Sequence, residues 1–196
     1  MGHIFYILGK SGVGKDTIYN EIKKNMGAHM REVVPYTTRP MRAGEADGAD
    51  YHFVTEAEYQ KLHDDKKIIE ERCYNTVHGP WRYFTAYDSQ VKDVKSGDGK
   101  YLMIGVLEAY VSVRDYFGSD YVTPLYIDLD DGIRLQRALD REKKQTEPKY
   151  KEMCRRYIAD SEDFAEDKLE AAGINRRIIN DDLKRCVEEC LEIIVK

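Results

Sequence analysis

Short apolar runs alternate with stretches of helical period along most of the chain. His3 to Leu8 is an apolar run stopped at Gly9, and a helical stretch follows from Asp16 to Asn25. The first reads as a buried strand and the second as the helix after it. A polar, β-rich section comes next, with Arg31 to Val34 and Tyr51 to Val54 as its strand candidates. Thr55 and Glu58 stand in the T-x-x-E order of a capping box, which predicts a helix from there to about Asp65. Ile68 to Glu70 and Arg82 to Phe84 read as short strands, and Asp88 to Ser96 as a short helix ended by Gly97. Tyr101 to Leu107 and Val122 to Ile127 are apolar and β-rich, as the buried strands of a parallel sheet are. Asp130 or Asp131 caps the next predicted helix, which carries Ile133, Leu135 and Leu139. The charged segment 142–148 is broken by Pro148 and reads as a mobile loop. A long helix is predicted from about Lys149 to the stop signal at Ala171-Ala172-Gly173. Arg177 to Asn180 is the last strand and Asp181 to Val195 the last amphipathic helix. With no repeat or low-complexity linker to divide it, this order predicts an α/β three-layer domain with a parallel core sheet.

Composition removes several function classes. The chain has 196 residues, the size of one domain, and needs no disulfide or metal staple to bury a core. Lys and Arg total 31 against 36 Asp and Glu, a net charge of −5. That balance carries no polybasic footprint, so no nucleic acid is expected as partner. No apolar run approaches the length of a membrane span, and the apolar start is too short for a signal peptide, so no membrane association is expected. The four cysteines show neither zinc-site pairs nor the density of a disulfide scaffold. Cys190 falls on an apolar stripe with Val187, Leu191 and Ile194 and reads as a buried free thiol. A reduced, cytoplasmic protein is expected, as a monomer or homodimer.

The first chemical signature lies between the first strand and the first helix. Gly9-Lys10-Ser11-Gly12-Val13-Gly14-Lys15-Asp16-Thr17 has the Gly-x4-Gly-Lys spacing of a P-loop. Glycines let backbone N–H groups turn inward on phosphate oxygens, and the helix N-terminus adds positive potential. Lys15 then reaches the β- and γ-phosphates as a point charge. Gly9, Ser11, Gly12, Val13, Gly14, Lys15, Asp16 and Thr17 are thus the candidate ATP-phosphate ligands. Asp16 stands where a Ser or Thr hydroxyl normally holds Mg²⁺. A carboxylate is a harder oxygen ligand, so Asp16 is the candidate metal residue; the plainer reading is a helix cap.

A second signature runs from Tyr36 through Thr37-Thr38-Arg39-Pro40-Met41-Arg42-Ala43-Gly44-Glu45 to Gly48-Ala49-Asp50-Tyr51-His52-Phe53-Val54. Two arginines three apart beside a tyrosine make a clamp for a phosphate dianion, because the planar guanidinium binds phosphate through two N–H groups. Together with the P-loop, this segment resembles the guanylate kinase family, with its T-T-R-x-x-R-x-G-E and G-x-x-Y-x-F-V motifs. The resemblance extends through Ile69-Glu70, Arg137-x3-Arg141, Arg155 with Ala159 and Glu162, and Ile179 to Leu183, and so covers nearly the whole chain.

The resemblance implies a P-loop kinase fold. Its core is about 1–34, 88–137 and 172–196, its inserted β-rich monophosphate-binding part about 35–87, and its helical lid about 138–171. It implies ATP and GMP as substrates, Mg²⁺ as cofactor, and GDP and ADP as products. Arg39, Arg42 and Tyr51 match GMP-phosphate ligands, and Tyr83 the second phosphate-binding tyrosine. Thr85 and Glu70 match the guanine-reading residues. A carboxylate accepts from both N1–H and the exocyclic amine of guanine, a donor pair that adenine lacks. Lys15, Arg137, Arg141 and Arg155 match the groups that neutralise the transferring phosphoryl; Arg156 takes the place of Arg155 if the register moves by one. Asn180 and Asp182 fall on the adenine side.

Three features depart from the family pattern. Asp16 replaces the P-loop hydroxyl. Pro35 takes the place of a serine. The strand Tyr101 to Leu107 lacks the acidic residues relatives carry at its end, with Glu108 the nearest carboxylate. The connection Cys73 to Trp81 is also long, which makes Asn75, His78 and Trp81 further candidate contacts, although packing is the commoner role for such a tryptophan. Two other readings stand beside GMP phosphorylation. One is a kinase for another phosphorylated acceptor such as ribose 1,5-bisphosphate, whose enzymes share the Gly-Lys-Asp ending. The other is a non-catalytic binding module, which usually lacks the P-loop lysine kept here.

Overall fold

The computed structural model describes residues 1–76 and 79–196, so His78 lies outside the described residues. The first half runs β1 (His3–Leu8), α1 (Lys15–Met26), β2 (Met30–Glu32), β3 (Tyr36–Thr37), β4 (His52–Phe53), α2 (Glu56–Asp64), β5 (Ile68–Thr76) and β6 (Gly79–Ala86). The second runs β7 (Lys100–Gly105), α3 (Leu107–Phe117), β8 (Val122–Asp128), α4 (Asp131–Lys143), α5 (Tyr150–Asp163), α6 (Glu166–Ala171), β9 (Ile178–Ile179) and α7 (Leu183–Val195). The strands form a five-stranded sheet in the order β2-β7-β1-β8-β9 and a four-stranded sheet in the order β4-β3-β6-β5. The β2–β7 and β8–β9 pairs run parallel, as buried apolar strands joined through helices do. Among the described residues no helix is long and apolar enough to cross a membrane.

The chain resolves into two compact units. One comprises Met1–Ile4, His29–Met103 and Val111–Val122; the other comprises Phe5–Ala28, Ile104–Tyr110 and Thr123–Lys196.

The first unit holds the four-stranded sheet. Its small core is Tyr59, Phe84 and Ala86, packed by Tyr36, Val54, Leu62 and Ile68. The capping box of α2 is formed: Thr55 Oγ1 accepts the Glu58 N–H, and Glu58 Oε2 accepts the Thr55 N–H at 2.7 Å. Residues 73–76 and 79–81 are strand rather than a loose connection. Cys73 pairs with Arg82, Tyr74 with Trp81 and Asn75 with Pro80, so β5 and β6 form one long hairpin. Strand alternation then puts Glu70, Arg72 and Tyr74 on one face, opposite Thr85, Tyr83 and Trp81. The helix expected over 88–96 does not form; the segment is a run of turns. Its polar side chains bond elsewhere instead. Asp88 accepts the Tyr36 hydroxyl at 2.5 Å and the Gln90 N–H at 2.8 Å, and the Gln90 amide pairs with the backbone of Val34.

In the second unit α1 packs on α7, burying Ile18 and Ile22 on one side and Cys186, Val187, Cys190 and Ile194 on the other. Cys190 is thus buried on its apolar stripe, and Cys186 lies one turn before it. Asp130, not Asp131, caps α4, accepting the Gly132 and Ile133 N–H groups at 2.9 and 3.1 Å. The single helix expected over 149–171 is broken into α5 and α6. Phe164 leaves the helix to stack on Tyr126, ring centroids 5.9 Å apart, and Ala165 turns extended before α6 begins.

Candidate active site

The P-loop carries the chain from β1 into α1 in a path that only glycine permits at two points. A Cβ on Gly9 would stand 2.3 Å from the Ile127 carbonyl oxygen. Gly14 caps α1 in the left-handed region, φ 93°, where a Cβ would meet the Asn180 amide nitrogen at 2.6 Å. α1 begins at Lys15, so the loop ends on a helix N-terminus. The Lys15 ammonium lies back over the loop, donating to the Gly9 carbonyl at 2.7 Å and the Lys10 carbonyl at 3.0 Å. Burial pushes its pKa down, while Asp16 and Asp160 pull it up; Arg134 and Arg141 are close enough to push it down further. Asp16 and Thr17 are exposed in the first turn of the helix. Asn180 is buried beneath the loop. Its side-chain N–H donates to the Val13 carbonyl at 2.7 Å, so it holds the loop's shape from the inner side.

Helices α4 and α5 meet this loop. Asp160 of α5 accepts the Ser11 N–H at 2.9 Å, and Arg134 of α4 donates to Asp160 at 3.1 Å and to the Ser11 carbonyl at 3.3 Å. The Arg134 guanidinium lies 4.0 Å from the centre of the Tyr157 ring. A cleft beside this knot is lined by Ser11, Arg134, Arg141, Glu152, Arg156 and Asp160, among others. Of the two adjacent arginines of α5, Arg156 lines the cleft and Arg155 is outside its lining; both bond Glu152, whose carboxyl their N–H groups hold at about 2. Arg137 is exposed and donates to the Asn180 carbonyl at 3.3 Å.

The acceptor candidates lie in the other unit, one group mainly in the segment between β3 and β4 and the other on β5 and β6. Arg39 has a side chain only 3% exposed and forks onto Glu45 at 2.6 and 2.7 Å. The rings of Tyr51, Phe53 and Tyr83 surround its guanidinium at 5.0, 5.4 and 6.0 Å. Its Nε is buried with no hydrogen-bond partner among the described residues, a donor awaiting an acceptor. The fork holds Glu45 down at about 2 and raises Arg39. Arg42 is exposed, and its backbone N–H donates to Glu45 at 2.8 Å. Burial, then the neighbouring Tyr83, pushes the Tyr51 hydroxyl up. In the second group Glu70 is 6% exposed and accepts the Thr85 hydroxyl at 2.9 Å. Arg72 donates to the same carboxylate at 3.2 and 3.4 Å.

The expected residues therefore fall into coherent sets. Arg39, Tyr51 and Tyr83 form one, Glu70 and Thr85 another, and the P-loop with Arg141 a third. Arg72, Arg134, Tyr157 and Asp160 were not legible as site residues, because their spacing matches no phosphate-binding motif. Glu45 stands inside the acceptor motif, and its place there was the available signal. At the end of β7 a Cβ on Gly105 would lie 2.2 Å from the Tyr6 hydroxyl, so that position has no room for a side chain.

The chain is similar to known proteins along nearly its whole length. The guanylate kinase family model matches residues 2–195. A guanylate kinase of Salinibacter ruber is 31% identical over 194 residues, 96% of this chain and 93% of that protein. One of Geobacter metallireducens is 28% identical, covering 99% of this chain and 88% of its own. One of Schizosaccharomyces pombe is 48% identical over 64 residues, 33% of this chain and 32% of that protein. The crystal structure of guanylate kinase from Anaplasma phagocytophilum has the same fold, with a TM-score of 0.70 at 18% identity, over 99% of this chain and 85% of that one. With its family model spanning almost every residue, this chain belongs to the guanylate kinase family.

Proposed function

We propose that this chain transfers the γ-phosphoryl group of ATP to GMP. A phosphate oxygen of GMP attacks the γ-phosphorus, the bond to the β–γ bridging oxygen breaks, and ADP leaves as GDP forms. The observation that carries the reading is a buried guanidinium, Arg39, in the loop just after β3, and a buried carboxylate, Glu70, on β5 of the same four-stranded sheet. The first suits a phosphate dianion and the second the N1–H and amine of guanine. A sugar bisphosphate offers hydroxyls but lacks the planar N–H pair of guanine.

In this reading Arg39, Arg42, Tyr51 and Tyr83 seat the GMP phosphate, while Glu70 and Thr85 read the base. Gly9, Ser11, Gly12, Val13, Gly14, Lys15, Asp16 and Thr17 cradle the ATP phosphates, with Asn180 holding the loop from below. Lys15, Arg137, Arg141 and the Arg155–Arg156 pair offset charge on the transferring group, where positioning and electrostatics do most of the work. The lid, about residues 138–171, excludes water and so limits hydrolysis of ATP. The donor chemistry of Asp16 fits Mg²⁺, which is commonly bound by one or two carboxylates with phosphates and waters. Asp16 would hold the ion, and the ion would supply charge neutralisation at the phosphates. Four unpaired cysteines suit a reducing cytoplasm.

Phosphorus NMR of the protein with MgATP and GMP tests the reaction. Equal growth of GDP and ADP is expected; loss of ATP to ADP and free phosphate without GDP would overturn it.

A further inference from the structure

Glu70 has more claimants than a carboxylate can serve once guanine arrives. Its two oxygens offer about four acceptor sites. The Thr85 hydroxyl takes one at 2.9 Å, and Arg72 takes two, Nε to Oε2 at 3.2 Å and Nη2 to Oε1 at 3.4 Å. Guanine needs two for its N1–H and amine, so one of the present partners has to move.

The geometry says which. The Arg72 bonds are long beside the roughly 2.7–2.9 Å of a tight charge-assisted pair. Arg39 on Glu45, at 2.6 and 2.7 Å in the same unit, shows what a firm fork looks like here. Arg72 lies two residues along β5 from Glu70, on the same face, opposite Tyr83. Its side chain is 17% exposed, and its charge is felt at the Tyr51 hydroxyl. The guanidinium thus stands between the base-reading carboxylate and the tyrosines of the phosphate seat.

We propose that Arg72 is a specificity residue of the acceptor site, exchanging Glu70 for the O6 and N7 acceptors of guanine when GMP binds. O6 adjoins N1 on the ring, so a base held by Glu70 presents O6 next to the released fork. A bidentate guanidinium on O6 and N7 is a pattern that only guanine-like purines satisfy; adenine puts an amine donor where O6 would be. The buried carboxylate and the half-buried guanidinium then divide the base. Glu70 reads the N1–H and amine edge, and Arg72 reads the O6 and N7 edge. The inference rests on the reading of GMP as acceptor given above.

The test compares wild type, R72M and R72K with MgATP, using GMP and 7-deaza-GMP, which lacks the N7 acceptor, and following each protein's thermal melting. Wild type is expected to lose roughly tenfold in kcat/KM on going from GMP to 7-deaza-GMP, within the range for losing part of a bidentate contact. R72M should fall roughly 10- to 100-fold on GMP and treat the two acceptors alike. R72K keeps the charge without the fork and should also lose most of the N7 sensitivity, which carries the test should R72M not fold. A 7-deaza-GMP to GMP ratio that is the same in wild type and both variants would overturn the role of Arg72, because a merely structural arginine lowers both acceptors equally. Wild type that phosphorylates no GMP at all would instead overturn the acceptor reading, and this inference with it.

Discussion

Asp160 of α5 accepts both the backbone N–H and the hydroxyl of Ser11, at 2.9 and 3.3 Å. A carboxylate of α5 is therefore fastened to the glycine-rich loop. Arg134, 1% exposed, completes the fastening through Asp160 and the Ser11 carbonyl. Such a knot ties the position of α5 to the shape of the loop.

Removing the carboxylate should leave buried Arg134 with Asp131 as its remaining carboxylate partner and the Ser11 carbonyl as a neutral acceptor. Asp160→Ala is expected to cost about 2–4 kcal/mol, at or just below the usual cost of stranding one member of a buried pair, because Asp131 remains. Asp160→Asn, which still accepts the N–H, should lose less. Urea unfolding curves check both; an unchanged midpoint for Asp160→Ala would remove the knot from the account.

Gly105 and Tyr6 form a steric pair of the opposite kind. With a Cβ placed 2.2 Å from the Tyr6 hydroxyl, Gly105→Ala should destabilise by about 1–3 kcal/mol through overpacking. Tyr6→Phe removes the offending oxygen and leaves the ring carbon at 3.1 Å, so the double variant should recover most of the loss. Additive single effects in thermal melts would contradict this.

The Arg39–Glu45 fork makes an acid-sensitive element. Glu45 titrates at about 2 when folded against an ordinary value of 4.5, so its stabilising contribution is complete above pH 4.5 and is lost as the pH falls from there toward 2. The chain has one tryptophan, Trp81, on the same sheet, and its fluorescence reports acid unfolding of that unit. Glu45→Gln should flatten this acid limb and raise KM for GMP roughly tenfold with little change in kcat, as expected for a lost ground-state contact. An acid limb identical to wild type would contradict the assignment.

The proposed function has Lys15 serve the transferring group rather than the acceptor. Lys15→Met is expected to lower kcat by roughly 10²-fold or more. GMP binding followed through Trp81 should persist. Loss of GMP binding in this variant would contradict the separation of donor and acceptor roles.

Much of this architecture was legible in the sequence because local rules and tertiary demands agree. The capping box at Thr55, the glycines around Lys15 and the apolar runs of β1 and β8 each specify one local answer, and the structure adopts it. Where they disagree, packing wins. Phe164 breaks a helix to reach Tyr126, and Asp88 and Gln90 give up a helix to bond Tyr36 and Val34. The site divides in the same way. Arg39 and Lys15 sit in motifs whose spacing reports their chemistry, and Glu70 was legible only through the family resemblance. Arg72, Arg134 and Asp160 act through contacts 2–149 residues apart, and no spacing announces them.

The most direct measurement is the initial rate of ADP release with MgATP across GMP, AMP, UMP and ribose 1,5-bisphosphate, for wild type and Glu70→Gln. A GMP preference of roughly 10²-fold or more in wild type, largely erased in Glu70→Gln, is the predicted result. Turnover of AMP or the sugar bisphosphate at least equal to that of GMP, or a GMP preference that survives Glu70→Gln, would contradict it.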